Sequence, residues 1–252
     1  MTTDHNDAGT DPDWAIRIGP VLPWGIIEAG FPYADRRHLF ANQSKGISRP
    51  AVMRGGALSI KTTIPRRGRP RYVDLATDDA FSYAFQERGV EYHDNQLLLS
   101  CARSATPFIY FFGITPGHYR PIWPVYIQDV QTEKARVLVT AASPNARLLA
   151  PGTFAADARA IAIERRYVTV EVKRRLHQEA FRHLVLDAYA ERCAVCGLPL
   201  RELLDAAHII PDRDTRGEPS VPNGLSMCKL HHGAFDANLI GIRPDCSVSA
   251  GA

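Results

Sequence analysis

The stretch from residue 193 to residue 236 constrains this chain most, because its cysteine and histidine spacing requires a compact fold around a metal ion. It contains Cys-Ala-Val-Cys at 193–196 and Cys-Lys-Leu-His at 228–231. Soft thiolates and one imidazole in two short knuckles suit a closed tetrahedral zinc site. We therefore predict a structural zinc ion with four ligands. They are Cys193, Cys196, Cys228 and His231.

Two alternatives stay open for this cluster. His231 and His232 could exchange roles, although His231 is preferred because the last ligand normally closes a C-x-x-H knuckle. The four residues could also be unrelated members of a hydrophobic core.

The composition is that of a soluble globular protein with room for two domains. The chain has 252 residues, of which 45% are hydrophobic and 23% charged. No apolar run approaches the roughly 20 residues that span a bilayer, so we expect no membrane partner. Residues 1–13 are polar and acidic, which predicts a disordered tail. Five cysteines, three of them in metal spacing, favour a reducing cytoplasm over a disulfide framework.

The formal net charge is +3, which permits a nucleic-acid partner without requiring one. Basic residues cluster at 61–71 and at 173–175. Either cluster could bind phosphate, or could be an ordinary solvated loop or helix face.

The remaining pattern predicts an α+β protein with a mainly-β first domain at 14–160, a connector helix region at 161–190 and a zinc-stapled domain at 191–245. The boundary falls between about 150 and 170. Alternating or continuous apolar runs predict strands at 57–63, 80–85, 107–114, 125–127 and 136–140, and the continuous run at 107–114 predicts a strand buried on both faces. A short helix is predicted at 94–103, capped by Asp94 or Asn95. An amphipathic helix is predicted at 173–189, after a strand or connector at 168–172, and its buried apolar stripe comprises Leu176, Phe181, Leu184, Val185 and Ala188.

A second set of polar residues is interleaved with the zinc ligands. His208 ends an apolar stretch typical of a strand, and Asn223 lies in the loop that follows. His232 and Asp236 are four residues apart, so both can face one ion if residues 231–238 are helical.

This order of strand, loop, strand and helix resembles the ββα-metal, or HNH, nuclease motif in its zinc-stapled form, over residues 190–243. The resemblance implies that His208 is the general base, that Asn223 orients it, and that His232 binds a catalytic ion. Asp236 matches a further ligand seen in colicin-type nucleases. The ion would be Mg²⁺ or Mn²⁺.

One position departs from that motif. Many members carry Asp or His directly before the general base as a metal ligand, and here Ala207 stands there. Asp205 is a candidate replacement. Asp236 could instead be a helix-surface carboxylate, and the whole unit could be a catalytically inactive zinc finger that binds DNA.

Scattered residues of the first domain resemble an SRA domain of the PUA-like superfamily, whose members flip a modified cytosine into a pocket. The resemblance implies that Tyr72, Asp74 and Tyr83 line that pocket. The arginine-rich loop would contact phosphate through Arg66, Arg67 and Arg69. The alternative is that these are strand-end and turn residues.

Together the two parts resemble modification-dependent restriction endonucleases of the McrA type. That resemblance implies double-stranded, modified DNA as substrate and a homodimer, since a double-strand break needs two single active sites. Two other functions remain: an HNH endonuclease that ignores modification, and a DNA-binding regulator with an inactive HNH fold.

Overall fold

The structure is a computed structural model that describes residues 17–18, 21–64, 79–142, 155–212, 214–243 and 247–250. The predicted disordered tail at 1–13 and the arginine-rich loop lie outside these residues. Contacts divide the chain into two units, Met1–Lys173 and Arg174–Ala252. Across the described ranges, no helix combines the length and apolar character needed to cross a membrane.

The first unit is built on one sheet of eight strands. The strands of this unit are β1 Arg17–Ile18, β2 Leu22–Pro23, β3 Phe31–Tyr33, β4 Arg36–His38, β5 Ile47–Ser48, β6 Ser59–Thr62, β7 Phe81–Ala84, β8 Phe108–Thr115, β9 His118–Gln131 and β10 Arg136–Ala141. The order in the sheet is β5-β6-β8-β9-β10-β7, and β1 and β2 also pair with β9. The β6–β8 pair is parallel and the other pairs are antiparallel. The five predicted strands are confirmed.

The centre of this sheet follows from the apolar run that forms β8. Phe108, Tyr110 and Phe111 are each at most 3% exposed, so the strand is buried on both faces as predicted. Gly117 turns the chain from β8 into β9 with φ of +81°, a conformation that favours glycine. β9 is longer than the predicted strand because it continues to pair with β8, β10 and the two N-terminal strands.

A small hairpin was not predicted. β3 pairs with β4 through Ala34 and Asp35, both in the left-handed region with φ of 46° and 58°. Primed hairpin turns of this kind usually carry Asn-Gly or Asp-Gly, so Ala-Asp gave no turn signal.

Three helices begin in the first unit: α1 Trp24–Ala29, α2 His93–Ser104 and α3 Ala155–Ala188. α2 confirms the predicted helix, and Leu97, Leu98 and Cys101 are buried. The predicted cap was wrong, because the helix begins one residue earlier, after Tyr92, with no side-chain cap. Asn95 is buried and instead bonds to the Gln86 backbone and to Gly89 O.

The helix predicted to begin at residue 173 begins at Ala155 instead. Residues 168–172, predicted as a strand or connector, are helical. Their β-branched side chains favour strand, but tertiary packing overrides that preference. Thr169 is fully buried, donates to Arg165 O at 2.7 Å and accepts from Ala141 N at 2.8 Å, which fixes the helix against the end of β10.

The second unit contains the strand, loop, strand and helix in the predicted order, and a second hairpin follows them. Its elements after α3 are β11 Leu204–His208, β12 Gly224–Cys228, α4 Lys229–Asp236, β13 Ile240–Ile242 and β14 Val248–Ala250. Short 3-10 turns lie at Arg201–Leu203 and Val221–Asn223, and the first unit has one at Thr132–Lys134. β11 and β12 are antiparallel, with His208 opposite Gly224.

The C-terminal part of α3 packs on this hairpin. Gly224 is required there, because an added Cβ would lie 2.3 Å from Val185 Cγ2 and 3.0 Å from the Phe181 ring. Phe181, Val185 and Leu186 are buried. The predicted buried stripe was wrong at Leu184, which is 46% exposed. The α+β class is confirmed.

Candidate metal centre and active site

The four predicted zinc ligands are brought together in the second unit. Within the described residues, the ligand atoms of Cys193, Cys196, Cys228 and His231 all lie within 4.8 Å of one another. His231 Nδ1 is 3.1 Å from Cys228 Sγ and 3.6 Å from Cys193 Sγ. Tetrahedral zinc with bonds of about 2.0–2.3 Å separates its ligand atoms by about 3.5–3.8 Å. The donor set and the geometry fit a metal ion such as zinc.

Backbone bonds shape the first knuckle around this cluster. Gly197 N donates to Cys193 O at 2.8 Å and Cys193 N donates to Leu198 O at 3.1 Å. Gly197 has φ of +71°, which favours glycine at the turn. Ala194 N donates to Ser226 O at 2.7 Å and so joins the knuckle to β12.

The Cys193 thiol is prepared to lose its proton. Burial opposes its ionisation, but hydrogen bonds from the backbone of Cys196, Cys228 and Val195, and from the Cys196 side chain, lower its pKa to about 6. The thiolate is the form that binds metal.

His208 is the last residue of β11, and its ring stacks on Phe181 of α3. The ring centroids are 4.1 Å apart and the planes differ by 21°. Its Nε2 is shielded from solvent and has no hydrogen-bond partner among the residues that the structure describes. A cavity of about 180 Å³ lies beside the two rings. A buried imidazole nitrogen without a partner is rare in proteins, and a catalytic role is one reason for such an atom.

Asn223 holds the chain just after His208. Its Oδ1 accepts from Ile210 N at 2.7 Å, and its Nδ2 donates to Ile210 O and Glu218 O, both at 3.0 Å. Its own carbonyl accepts from Ile209 N at 3.0 Å. The Asn223 side chain is 9% exposed, so these bonds form away from bulk water.

His232 and Asp236 face each other one turn apart on α4. His232 Nε2 lies 3.3 Å from Asp236 Oδ2, at the partly exposed surface of the helix. Two ligand atoms of an ion can be supplied from this pair.

Asp205 lies in a different setting. Its Oδ1 is 3.3 Å from Arg182 Nε, and Arg182 also donates to Leu204 O and Arg201 O. Among the described residues, the Cys-His cluster is the one group of three or more metal-ligating side chains that gathers closely. Asp205 is therefore not brought into one set with His232 and Asp236.

Ala207 of β11 is fully buried. It packs with Leu225 and Met227, against which Tyr189, Val195, Phe235 and Ile242 also pack. The position before His208 is thus part of the hydrophobic core and offers no ligand.

In the first unit, Tyr83 is buried at 6% exposure in β7. Burial raises the pKa of its phenol. Its hydroxyl lies against Gly46, where an added Cβ would be 2.5 Å away. Tyr83 lines a cavity of about 720 Å³ together with Lys61, Phe81, Tyr110 and Phe112. The other predicted pocket and phosphate residues are outside the described part of the chain. They are Tyr72, Asp74, Arg66, Arg67 and Arg69.

Two residues near the site were not predicted to belong to it. Phe181 was expected in a buried helix stripe, but nothing in the pattern indicated that its ring contacts His208. Arg182 was not singled out, because nothing in the sequence pattern indicates its hydrogen bonds to Leu204 O and Arg201 O.

Comparison with known proteins identifies the second unit. The model of the HNH endonuclease family matches residues 193–243. This stretch is an HNH endonuclease domain and comprises the two Cys-His knuckles, β11, β12, α4 and β13.

Structure comparison gives a match to a modification dependent TagI restriction endonuclease. The match has 18% sequence identity and a TM-score of 0.27, and covers 83% of this chain and 76% of that one. No curated protein matches the chain. The HNH assignment rests on the family match and on the geometry of the second unit.

Proposed function

We propose that this protein is a metal-dependent HNH endodeoxyribonuclease that restricts DNA carrying modified bases. One observation carries the nuclease proposal. Within the HNH domain, His208 presents a buried Nε2 without a described partner beside a cavity.

His208 would act as general base on the water that attacks a phosphodiester. A neutral imidazole suits proton abstraction near pH 7. The Phe181 ring covers one face of the imidazole and limits its rotation. Asn223 ties Ile209 and Ile210 to the loop before β12, so the end of β11 keeps its position.

The Cys-His cluster would hold structural zinc. It joins the first knuckle to the N-terminus of α4, because Cys193 and Cys196 precede β11 while Cys228 and His231 flank the start of the helix. Such an ion stabilises a small domain whose apolar core is limited.

His232 and Asp236 would hold the catalytic ion, with Asp205 as a further candidate. Mg²⁺ or Mn²⁺ bound there would stabilise charge on the phosphate during cleavage. The Asp205 carboxylate already forms an ion pair with Arg182. His232 and Asp236 are therefore the better candidates for binding the ion.

The first unit would select the DNA. Its cavity of about 720 Å³ combines aromatic rings with the polar side chains of Lys61 and Gln86, a combination that suits a nucleobase. Tyr83 would belong to that pocket, as would Tyr72 and Asp74. Phosphate contacts would come from Arg66, Arg67 and Arg69. Cutting both strands of a duplex would require a homodimer.

A cleavage assay tests this proposal. Matched duplexes with unmodified cytosine, 5-methylcytosine, 5-hydroxymethylcytosine or N6-methyladenine are incubated with Mg²⁺ or Mn²⁺. We expect one modified duplex to be cut, and His208→Ala to abolish cutting while zinc content stays at the wild-type value. Equal cutting of every duplex would keep the nuclease and reject selection by modification.

A second candidate function has a specific observation in its favour. Ala207 stands where this motif commonly has a metal ligand, and its side chain belongs to the hydrophobic core and offers no ligand. The alternative is a DNA-binding protein with an inactive HNH domain. Binding of DNA without cleavage in any divalent ion, unchanged in His208→Ala, would support this alternative.

A further inference from the structure

A second cavity of the first unit has a cationic lining. It measures about 440 Å³ and lies between the β4–β5 segment and the start of α2. The charged and titratable side chains along it are Arg37, His38, Lys45, Arg49, His93 and Asp94. One carboxylate faces three permanent cations and two imidazoles, so the cavity suits an anion.

The single carboxylate is already engaged by neighbouring groups. Asp94 Oδ2 lies 3.3 Å from Lys45 Nζ and also accepts from Gln86 Nε2 at 3.3 Å. Asp94 is 3% exposed, whereas Arg37 is exposed to solvent. A ligand entering from solvent therefore meets the guanidinium of Arg37 with little opposition from the carboxylate.

This cationic cavity shares a wall with the aromatic cavity that contains Tyr83. Gln86 lines the aromatic cavity and bonds Asp94, which lines the cationic one. Lys61 lines the aromatic cavity, and its Nζ donates to the carbonyls of Asn42 and Gln43 at 2.9 and 3.0 Å.

The loop at 42–46 forms the rest of the wall. Asn42 and Lys45 line the cationic cavity, while Gly46 packs against the Tyr83 hydroxyl. Lys61 is held by the Trp24 ring, 4.4 Å from its Nζ, so the carbonyls it binds are fixed in place. The two cavities are thus separated by a few ordered side chains.

We infer that the cationic cavity binds a backbone phosphate of the nucleotide whose base enters the aromatic cavity. The inference rests on the proposed function, because it takes DNA as the ligand. A nucleotide joins a flat apolar base to an anionic phosphate, and the adjoining cavities offer an aromatic lining and a cationic lining. The contacts to phosphate would come from Arg37 and Lys45.

Two neighbouring arginines of β4 provide the variant and its control. Arg37 lines the cationic cavity and Arg36 does not, although both are exposed residues of the same strand. Successive side chains of a strand point to opposite faces. Arg37→Gln and Arg36→Gln therefore remove the same charge from the same strand, but only Arg37→Gln changes the lining of the cationic cavity.

The experiment measures the affinity of the full chain for the duplex that it cuts, over a range of salt concentrations and without added Mg²⁺ or Mn²⁺. We expect Arg37→Gln to weaken binding roughly tenfold at low salt and to reduce the slope of log K against log salt by about 1. Arg36→Gln should match wild type, and Lys45→Gln should weaken binding at least as much as Arg37→Gln, because it also leaves Asp94 without its ion pair.

The outcomes separate this inference from the proposed function. If wild type cuts DNA and the two arginine variants bind equally, the cationic cavity has no phosphate role and the nuclease stands. If the wild-type protein binds no duplex, the inference and the proposed function are both rejected. Binding of a fluorescent nucleoside monophosphate by a protein that binds no duplex would assign the cavity to a free nucleotide. That result would overturn the backbone contact.

Discussion

At the end of β11, the Phe181 ring lies 4.1 Å from the His208 ring and covers one of its faces. Replacing Phe181 with Leu keeps the position apolar but removes the flat surface. We expect cleavage to fall by more than tenfold, because a freely rotating imidazole spends less time aligned with the attacking water. Single-turnover cleavage rates measure this effect.

The control for that variant is Leu184→Ala on the exposed side of the same helix. It should leave the rate unchanged. Equal rates for Phe181→Leu and wild type would show that the stacked ring does not position His208.

The Asn223 amide stabilises the chain that follows β11. Asn223→Ala removes three side-chain hydrogen bonds and leaves Ile210 N and O without these partners. We expect the free energy of unfolding of the second unit to fall by about 1–3 kcal/mol. Urea unfolding followed by circular dichroism measures it, and an unchanged midpoint would contradict the role given to this amide.

Among the secondary-structure elements, α3 and β10 are joined by the buried hydroxyl of Thr169. Thr169 Oγ1 accepts from Ala141 N, while the hydroxyl of the neighbouring Thr140 is buried with no partner among the described residues. Thr169→Val should destabilise the first unit by about 1–3 kcal/mol, because it leaves a buried N–H unpaired.

Thr140→Val makes the same chemical change with the opposite expectation. Removing a buried hydroxyl that has no partner should be neutral or stabilising. Thermal unfolding of the two variants compares them directly. A larger loss for Thr140→Val than for Thr169→Val would reject this account.

The elements also show where sequence reasoning works. The apolar run of β8 and the Cys-His spacing predicted a buried strand and a metal centre, because each signal is a short pattern of side-chain chemistry that can be read directly from the sequence. The helical run at 168–172 was missed because Val and Thr favour strand, and the bond from Thr169 to β10 is between residues far apart in sequence. Stacking of Phe181 on His208 was missed for the same reason.

At the scale of the whole molecule, the two units should respond differently to loss of metal. All three tryptophans, Trp14, Trp24 and Trp123, precede residue 174, so tryptophan fluorescence reports on the first unit. Chelation of the metal should unfold the HNH domain, since the ion would join its two knuckles and its apolar core is small.

Circular dichroism should therefore lose helical signal on chelation while the tryptophan unfolding transition keeps its midpoint. Cys196→Ser should reproduce the chelated state, because it removes one ligand of the cluster. A tryptophan transition that shifted with chelation would show that the first unit depends on the metal centre.

Because α3 lies so close to Gly224, substitutions of this glycine should abolish DNA cleavage. A single added carbon there would meet Val185 and the Phe181 ring, and that ring covers His208. In a random mutagenesis screen for clones that no longer cut DNA, substitutions at codon 224 should be recovered as often as substitutions at codon 208. Such an allele would have the same phenotype as loss of His208, although the glycine carries no reactive group.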